Sequence, residues 1–296
     1  MTTQDQRYLI AGCGYVGSEL AQVLAQTHAG VVYALRRSAV APAAYAGISW
    51  LVGDLVHEGG AALPRDLDAV FYTAAPDGST IEAYAAVYQR GLSRILNHLE
   101  RTGRPGARLV LTSSTSVYGQ SAGEWVDEDA VTAPTSATSK LILAGEALLR
   151  PQDIAVRLAG IYGPGRTSLI EGVRQGTMTF NPQGSAYTNR IHQADAARIL
   201  AHVAALAAPS PIYNGVDSVS ATRFEVGTWL AEQLGTTLRL TTGAEASSTL
   251  RGHKRCSNQR LVASGYRFLY PSYRDGYSAL MRSGSSVPPS ALSQKV

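Results

Sequence analysis

Three glycines spaced Gly12-x-Gly14-x-x-Gly17 follow the apolar run Tyr8-Leu9-Ile10-Ala11, and Val16, Leu20, Val23 and Leu24 recur after it at helical spacing. A strand, a tight turn and a helix N-terminus in this order suit the pyrophosphate of a dinucleotide. Gly12 permits the turn, Gly14 lets the backbone approach the phosphates, and Gly17 lets helix and strand pack closely. Tyr15 and Val16 open the helix, whose unpaired N–H groups and positive dipole end face the phosphates. The next strand, Val31 to Leu35, ends in Arg36-Arg37-Ser38, and no acidic residue lies between Val31 and Leu51. An NAD site usually places a carboxylate there for the ribose, whereas arginine suits the 2′-phosphate of NADP. The pattern therefore predicts NADP(H) in preference to NAD(H), the alternative being two surface arginines. Further on, Leu109-Val110-Leu111 runs into five consecutive hydroxyl residues, Thr112 to Ser116. Beside a dinucleotide, such a strand end would hold a substrate oxygen; hydroxyls there also cap the next element. Ser136 and Lys140, four apart on a predicted helix, share a face.

Positioning these residues takes strands alternating with helices. Ser49 to Leu55 reads as a third strand ending in the acidic turn at Asp54. Asp68 to Pro76 reads as a fourth, whose small residues Ala74-Ala75 leave room for a ligand across its end. Tyr84, Tyr88, Leu92, Ile95 and Leu99 form one helical stripe of core contacts. Thr135 to Arg150 reads as a helix, Asp153 to Leu158 as a sixth strand, Pro211 to Asn214 as another strand and Arg223 to Leu234 as a helix. The alternation predicts an α/β fold, a Rossmann-type doubly wound parallel sheet with a smaller C-terminal α/β substrate lobe. The expected division is 1–165 for the NADP-binding domain, 166–282 for the substrate lobe and 283–296 for a disordered tail rich in Ser and Pro.

A formal charge of +4 comes with no dense Lys/Arg block, which argues against nucleic-acid binding. The two cysteines, Cys13 and Cys256, have no zinc or disulfide-framework spacing, and the six histidines are scattered, so no metal site is expected. No apolar run reaches the roughly 20 residues of a membrane span, and Met1 to Arg7 lacks a signal core. The expectation is a cytoplasmic protein that binds small molecules, with a homodimer plausible.

The ordered motifs resemble the short-chain dehydrogenase/reductase superfamily, in its extended, NAD-dependent epimerase/dehydratase-like branch. The resemblance covers Arg7 to Leu280. It rests on the glycine turn, Asp54-Leu55, Ser113-Ser114-Thr115-Ser116-Val117-Tyr118-Gly119, Arg157 to Arg166, Arg190-Ile191-His192-x-x-Asp195 and Tyr213-Asn214. The resemblance implies that Asp54 contacts the adenine and that Ala74-Ala75 flank the cofactor. It also implies that Ser114 is the catalytic hydroxyl and that Lys140 bonds the nicotinamide ribose. The branch's proton-donating tyrosine stands four residues before that lysine, where this chain has Ser136, and Tyr88 replaces a usual asparagine. The chain is thus an atypical member. Tyr118, Tyr162 or ordered water would have to replace the donor, both tyrosines being equally readable as packing residues.

Three functions follow from this pattern. The first is an NADP-dependent reductase acting on a small carbonyl or imine, since an iminium ion needs no proton during hydride transfer. The second is a redox-neutral nucleotide-sugar epimerase or dehydratase. The third is a non-catalytic NADP-binding sensor or scaffold.

Overall fold

The computed structural model describes residues 5–27, 30–38, 47–56, 62–183, 185–241 and 252–283. Seven strands form one sheet: β1 (Gln6–Ala11), β2 (Gly30–Arg36), β3 (Ile48–Val52), β4 (Ala69–Tyr72), β5 (Arg108–Ser114), β6 (Ile154–Leu158) and β7 (Ile212–Gly215). Their order is β3-β2-β1-β4-β5-β6-β7 and every neighbouring pair is parallel. This is the doubly wound Rossmann arrangement that the alternation of elements predicts. The strand order reverses between β1 and β4, so a crevice opens at their carboxyl ends. Ala11 sits opposite both Leu35 and Tyr72, which levels the glycine turn with the ends of β2 and β4. Strand β3 stops at Val52, short of the expected Leu55, because Gly53 N donates to the Arg36 carbonyl (3.0 Å) and Val56 N turns back onto Asp54 Oδ1 (2.7 Å).

Helices cover both faces, which is why β4 and β6 are buried throughout, β4 as an unbroken apolar run and β6 as an apolar run interrupted only by Arg157. On one face α1 (Tyr15–Thr27) packs Leu20 and Leu24 against Ile10, Phe71, Val110 and Val156. On the other, Leu9, Val70, Tyr72, Leu109 and Leu111 meet the long helix after β4. That helix begins as α2 (Ile81–Ala85), passes through one π turn (Ala86–Gly91) and continues as α3 (Leu92–Thr102). The π turn has a partner in the sheet, since the Tyr72 hydroxyl donates to the Val87 carbonyl (2.7 Å). Tyr88 is buried here and stacks on Tyr84 at 6.0 Å between centroids. The predicted helix over Thr135 to Arg150 is α4 (Ala137–Glu146), shorter because Ser136 caps it.

Beyond β6 the chain builds a second cluster from α5 (Ser168–Arg174), α7 (Arg223–Leu234) and the helix Tyr273–Ser283, with Phe180 and Leu230 fully buried. A capping box of Thr222 and Glu225 starts α7, and Gly235 at φ 62 ends it. The expected boundary at residue 165 is crossed twice. Within 166–282, α6 (Gln193–Ala205) returns to the face that α1 covers and β7 extends the sheet, because β6 would otherwise lie open on one edge. The tail expected to be disordered lies, from residue 284, outside the described residues. Among the described residues no helix is long and apolar enough to cross a membrane, and no His/Cys/Asp/Glu cluster could hold a metal ion.

Candidate active site at the carboxyl edge of the sheet

The three glycines of the turn have distinct surroundings. Gly12 has φ 97, and a Cβ there would lie 2.4 Å from Ala74 Cα, so both the turn and the contact with the end of β4 exclude a side chain. At Gly17 a Cβ would lie 2.8 Å from Thr73 Oγ1 and 3.1 Å from Ile10 Cγ2, where helix meets strand. At Gly14 it would meet nothing nearer than the Gly12 carbonyl at 3.9 Å, so packing does not demand glycine there. The α1 ladder begins with Ser18 N donating to the Gly14 carbonyl (2.8 Å), which leaves the N–H groups of Tyr15, Val16 and Gly17 at the mouth of the turn. Open space over Gly14 and orphan donors beside it fit a dinucleotide pyrophosphate. Val16 is buried beneath the turn, whereas Tyr15 donates its hydroxyl to the Pro164 carbonyl (3.0 Å) and carries Arg166 on its ring face (4.0 Å). Burial pushes the Tyr15 phenol up to about 12, against the pull of Arg166.

At the end of β2, Arg36 lies over the Trp50 ring (5.9 Å), and its Nε is buried without a hydrogen-bond partner among the described residues. Arg37 forms a two-pronged pair with Asp77, in the loop after β4, with Nη2 2.7 Å from Oδ1. The Arg37 hydrogen bond holds the exposed Asp77 carboxyl below its usual range. Ala74, against Gly12, and Ala75 follow β4, and Asp54 follows β3 with its carbonyl accepting from Arg94 (3.2 Å).

The hydroxyl run at the end of β5 divides by direction, as alternate strand residues must. Ser113 Oγ points inward and donates to Glu146 Oε1 (2.5 Å). Ser114 is half-buried, and its Oγ accepts from Ser116 N (3.1 Å), capping one turn of 3₁₀ helix. Lys140, one turn into α4, is exposed, and among the described residues its ammonium makes no hydrogen bond or ion pair. Ser136 Oγ accepts from Ser139 N (3.1 Å) and donates to Ser139 Oγ (2.7 Å), so the residue in the tyrosine's place is the helix cap.

Two other sequence-predicted residues lie apart from Ser114 and are held differently. Tyr118 is 2% exposed; its hydroxyl donates to Asn214 Oδ1 (2.9 Å) and accepts from Arg157 Nη1 (2.9 Å). Burial pushes that phenol up to about 12, although Arg157 pulls it down. Tyr162 is wedged in the second cluster between His192 (5.3 Å) and Tyr277 (4.5 Å), and its hydroxyl is buried without a hydrogen-bond partner among the described residues. Burial raises its pKa. Both tyrosines are held by packing in this structure, the Tyr118 hydroxyl between Asn214 and Arg157 and the Tyr162 hydroxyl in the second cluster.

Sequence reading missed what organises this half of the edge. Arg157 pairs with Glu146 through Nε (3.0 Å) and Nη2 (2.7 Å), both side chains being buried. The network continues through Tyr118 and Asn214 to Glu128, whose Oε1 accepts from Asn214 N (2.8 Å). A charged residue in the middle of the apolar strand Ile154–Leu158 was its available signal. The His192 and Asp195 of the later motif are structural as well. His192 caps α6, and Asp195 accepts from Leu269 N, Tyr270 N and the Tyr266 hydroxyl. A separate depression of about 350 Å³ lies at the amino ends of the strands, lined by Gln6, Tyr8, Asp68 and Arg108, on the edge opposite the glycine turn.

Comparison with known proteins agrees with this geometry. The NAD dependent epimerase/dehydratase family model matches residues 8–214. Among solved structures, a candidate NAD-dependent epimerase/dehydratase from Methylobacillus flagellatus is similar at 32% identity and TM-score 0.76, with 95% of this chain and 100% of that one covered. A functionally unknown conserved protein from Silicibacter pomeroyi DSS has 26% identity and TM-score 0.73, with coverages of 94% and 98%. The Bacillus cereus UDP-glucuronic acid 4-epimerase in complex with NAD shares the fold at 16% identity and TM-score 0.74, with coverages of 96% and 99%. No curated protein matches. With most of its length spanned by the family model, this chain belongs to the NAD-dependent epimerase/dehydratase family.

Proposed function

We propose that this protein is an NADP(H)-dependent oxidoreductase that delivers a hydride to a carbonyl or imine group of a small substrate, with Ser114 holding the reacting oxygen or nitrogen. The observation that carries this reading is a shared edge: the glycine turn, Arg36 and Ser114 end strands β1, β2 and β5 of one parallel sheet. Bound nicotinamide would supply the hydride; the chain's own residues bind, orient and hold protons. Arg36 supports NADP(H), because a 2′-phosphate would satisfy its buried, unpartnered Nε. In this reading Asp54 contacts the adenine, Ala74 and Ala75 flank the cofactor, and Lys140, which makes no ion pair among the described residues, bonds the nicotinamide ribose. With Ser136 capping α4 and both tyrosines packed away, the protonation step falls to water or is avoided by an imine substrate.

The redox-neutral reading, a nucleotide-sugar epimerase or dehydratase, draws support from the family and from the NAD-bound Bacillus cereus 4-epimerase. One assay separates the two. Loss of NADPH is followed over a panel of carbonyls and imines, and product formation over a panel of UDP-sugars without net NADPH loss. The reductase reading expects turnover in the first panel, lowered about 100-fold by Ser114→Ala with NADPH affinity unchanged. Turnover only in the second panel favours the epimerase. NADPH binding with no turnover in either panel favours a sensor or scaffold. In calorimetry on the same protein, Arg36→Asp should weaken NADPH more than NADH, and equal weakening would sink the NADP assignment.

A further inference from the structure

Residues 252–256 lie across the same carboxyl edge, outside every motif considered above. Arg255 and Cys256 pair in parallel with Trp125 and Val126, in the segment that follows β5. Asn189 fastens them to the end of β6. Gly160 N donates to the Asn189 carbonyl (3.2 Å), Asn189 Nδ2 to the Lys254 carbonyl (3.0 Å), and Cys256 N to Asn189 Oδ1 (2.8 Å). Lys254 stands at the bend before this two-residue strand, its N–H donating back to the Gly252 carbonyl (2.7 Å). Cys256 belongs to the buried cluster that includes Val117, Tyr118 and Ala159, and the Lys254 backbone is tied through Asn189 to Gly160, just past the end of β6. Arg255 takes the opposite face, between the rings of Trp125 (5.1 Å) and Tyr187 (4.9 Å).

Lys254 is only 3% exposed, yet among the described residues its ammonium makes no hydrogen bond and no ion pair. An uncompensated buried ammonium is costly and is normally paired. Glu124 is the carboxylate whose charge reaches it, but that group accepts from Ala122 N (2.8 Å) and lies beyond ion-pair distance. The Asn189 side-chain amide is engaged at both ends by backbone, its Nδ2 with the Lys254 carbonyl and its Oδ1 with Cys256 N. Arg255 donates Nε to the Gly123 carbonyl (2.8 Å) and also has no carboxylate partner among the described residues. Two consecutive cations therefore stand at the edge without an ion-paired acid among the described residues. Burial lowers the Lys254 pKa, against the weaker pull of Glu124.

We propose that Lys254 forms an oxyanion subsite at the carboxyl edge, where Asn189 joins its segment to the end of β6, and takes a carboxylate or phosphate group of the substrate. This deepens the hydride-transfer reading and rests on it only for the identity of the neighbouring site. The test is calorimetric titration of the NADPH-loaded wild type, Lys254→Met and Lys254→Arg with inorganic phosphate and, separately, with malonate. The wild type should bind at least one probe, Lys254→Met should bind it at least tenfold more weakly, and Lys254→Arg should retain it. Phosphate alone marks a phosphorylated substrate, and malonate alone a carboxylic acid. Without probe, Lys254→Met should melt at a higher temperature than wild type, because an unpaired buried charge has been removed. Equal probe affinity in wild type and Lys254→Met, no binding of either probe to wild type, or a lower melting temperature for Lys254→Met would each overturn the subsite. The NADPH titration that precedes the probes keeps the two readings apart: bound NADPH with unbound probes rejects the subsite alone, whereas failure to bind NADPH rejects the dinucleotide reading.

Discussion

At the glycine turn each residue type is fixed by φ and by the room that neighbouring strand ends leave for a Cβ, whereas Ser113 and Tyr118, at and just past the end of β5, take their duty from polar partners 33 to 96 positions away. Gly12, Gly14 and Gly17 answer three local questions: which φ, which approach, which contact. Ser113 answers to Glu146, and Tyr118 to Arg157 and Asn214. A run of hydroxyls thus has no fixed meaning until its partners are known. Four residues that look alike as chemistry do four things here: Ser113 bonds a buried carboxylate, Ser114 caps a 3₁₀ turn at the edge, Ser136 caps a helix, and Tyr118 is saturated in the core.

The strongest way to break this contrast is Arg157→Met. It leaves the Glu146 carboxylate buried without its cation and takes a donor from the Tyr118 hydroxyl, which should cost about 3–5 kcal/mol in denaturant unfolding. Replacing both partners, Arg157→Met with Glu146→Leu, should restore most of that loss, since the unpaired charge goes as well. If the double variant is no more stable than the single one, the network is not what holds this half of the edge.

The glycine turn should separate stability from binding. Gly12→Ala combines a positive φ with a Cβ 2.4 Å from Ala74 Cα and should cost about 3 kcal/mol, with cofactor binding lost alongside. Gly14→Ala meets no atom nearer than 3.9 Å and should change stability by under about 0.5 kcal/mol. Its methyl stands where the phosphates would approach, so NADPH affinity should fall at least tenfold in calorimetry. Unchanged affinity in Gly14→Ala would move the pyrophosphate away from this turn.

The same contrast explains what could be read from the chain alone. Strand and helix periodicity, the glycine spacing and the arginines after β2 are local signals, and the parallel sheet and its crevice follow from them. The Arg157–Glu146–Tyr118–Asn214 network is not local: β6, α4 and β7 must first be placed side by side. Arg157 alone hinted at it, as a cation inside an apolar strand. Lys254 gave no hint, because a lysine in a polar segment reads as solvated until the fold buries it. The return of α6 and β7 to the main sheet was equally hidden, since a strand's sequence does not say which edge it joins.

Ser136→Ala carries the smallest expected effect and the sharpest meaning. The Ser136 hydroxyl accepts from Ser139 N, satisfying one of the orphan N–H groups of α4, and losing such a cap typically costs about 1 kcal/mol. The variant should therefore unfold at slightly lower denaturant while NADPH affinity and any turnover stay at wild-type values. Ser114→Ala should do the reverse, because its Oγ accepts a single hydrogen bond in an exposed turn and its loss disturbs little of the fold. If Ser136→Ala instead abolished turnover at unchanged stability, the serine would have inherited the tyrosine's role along with its position, and the hydroxyl half of the edge would be as locally encoded as the glycine half.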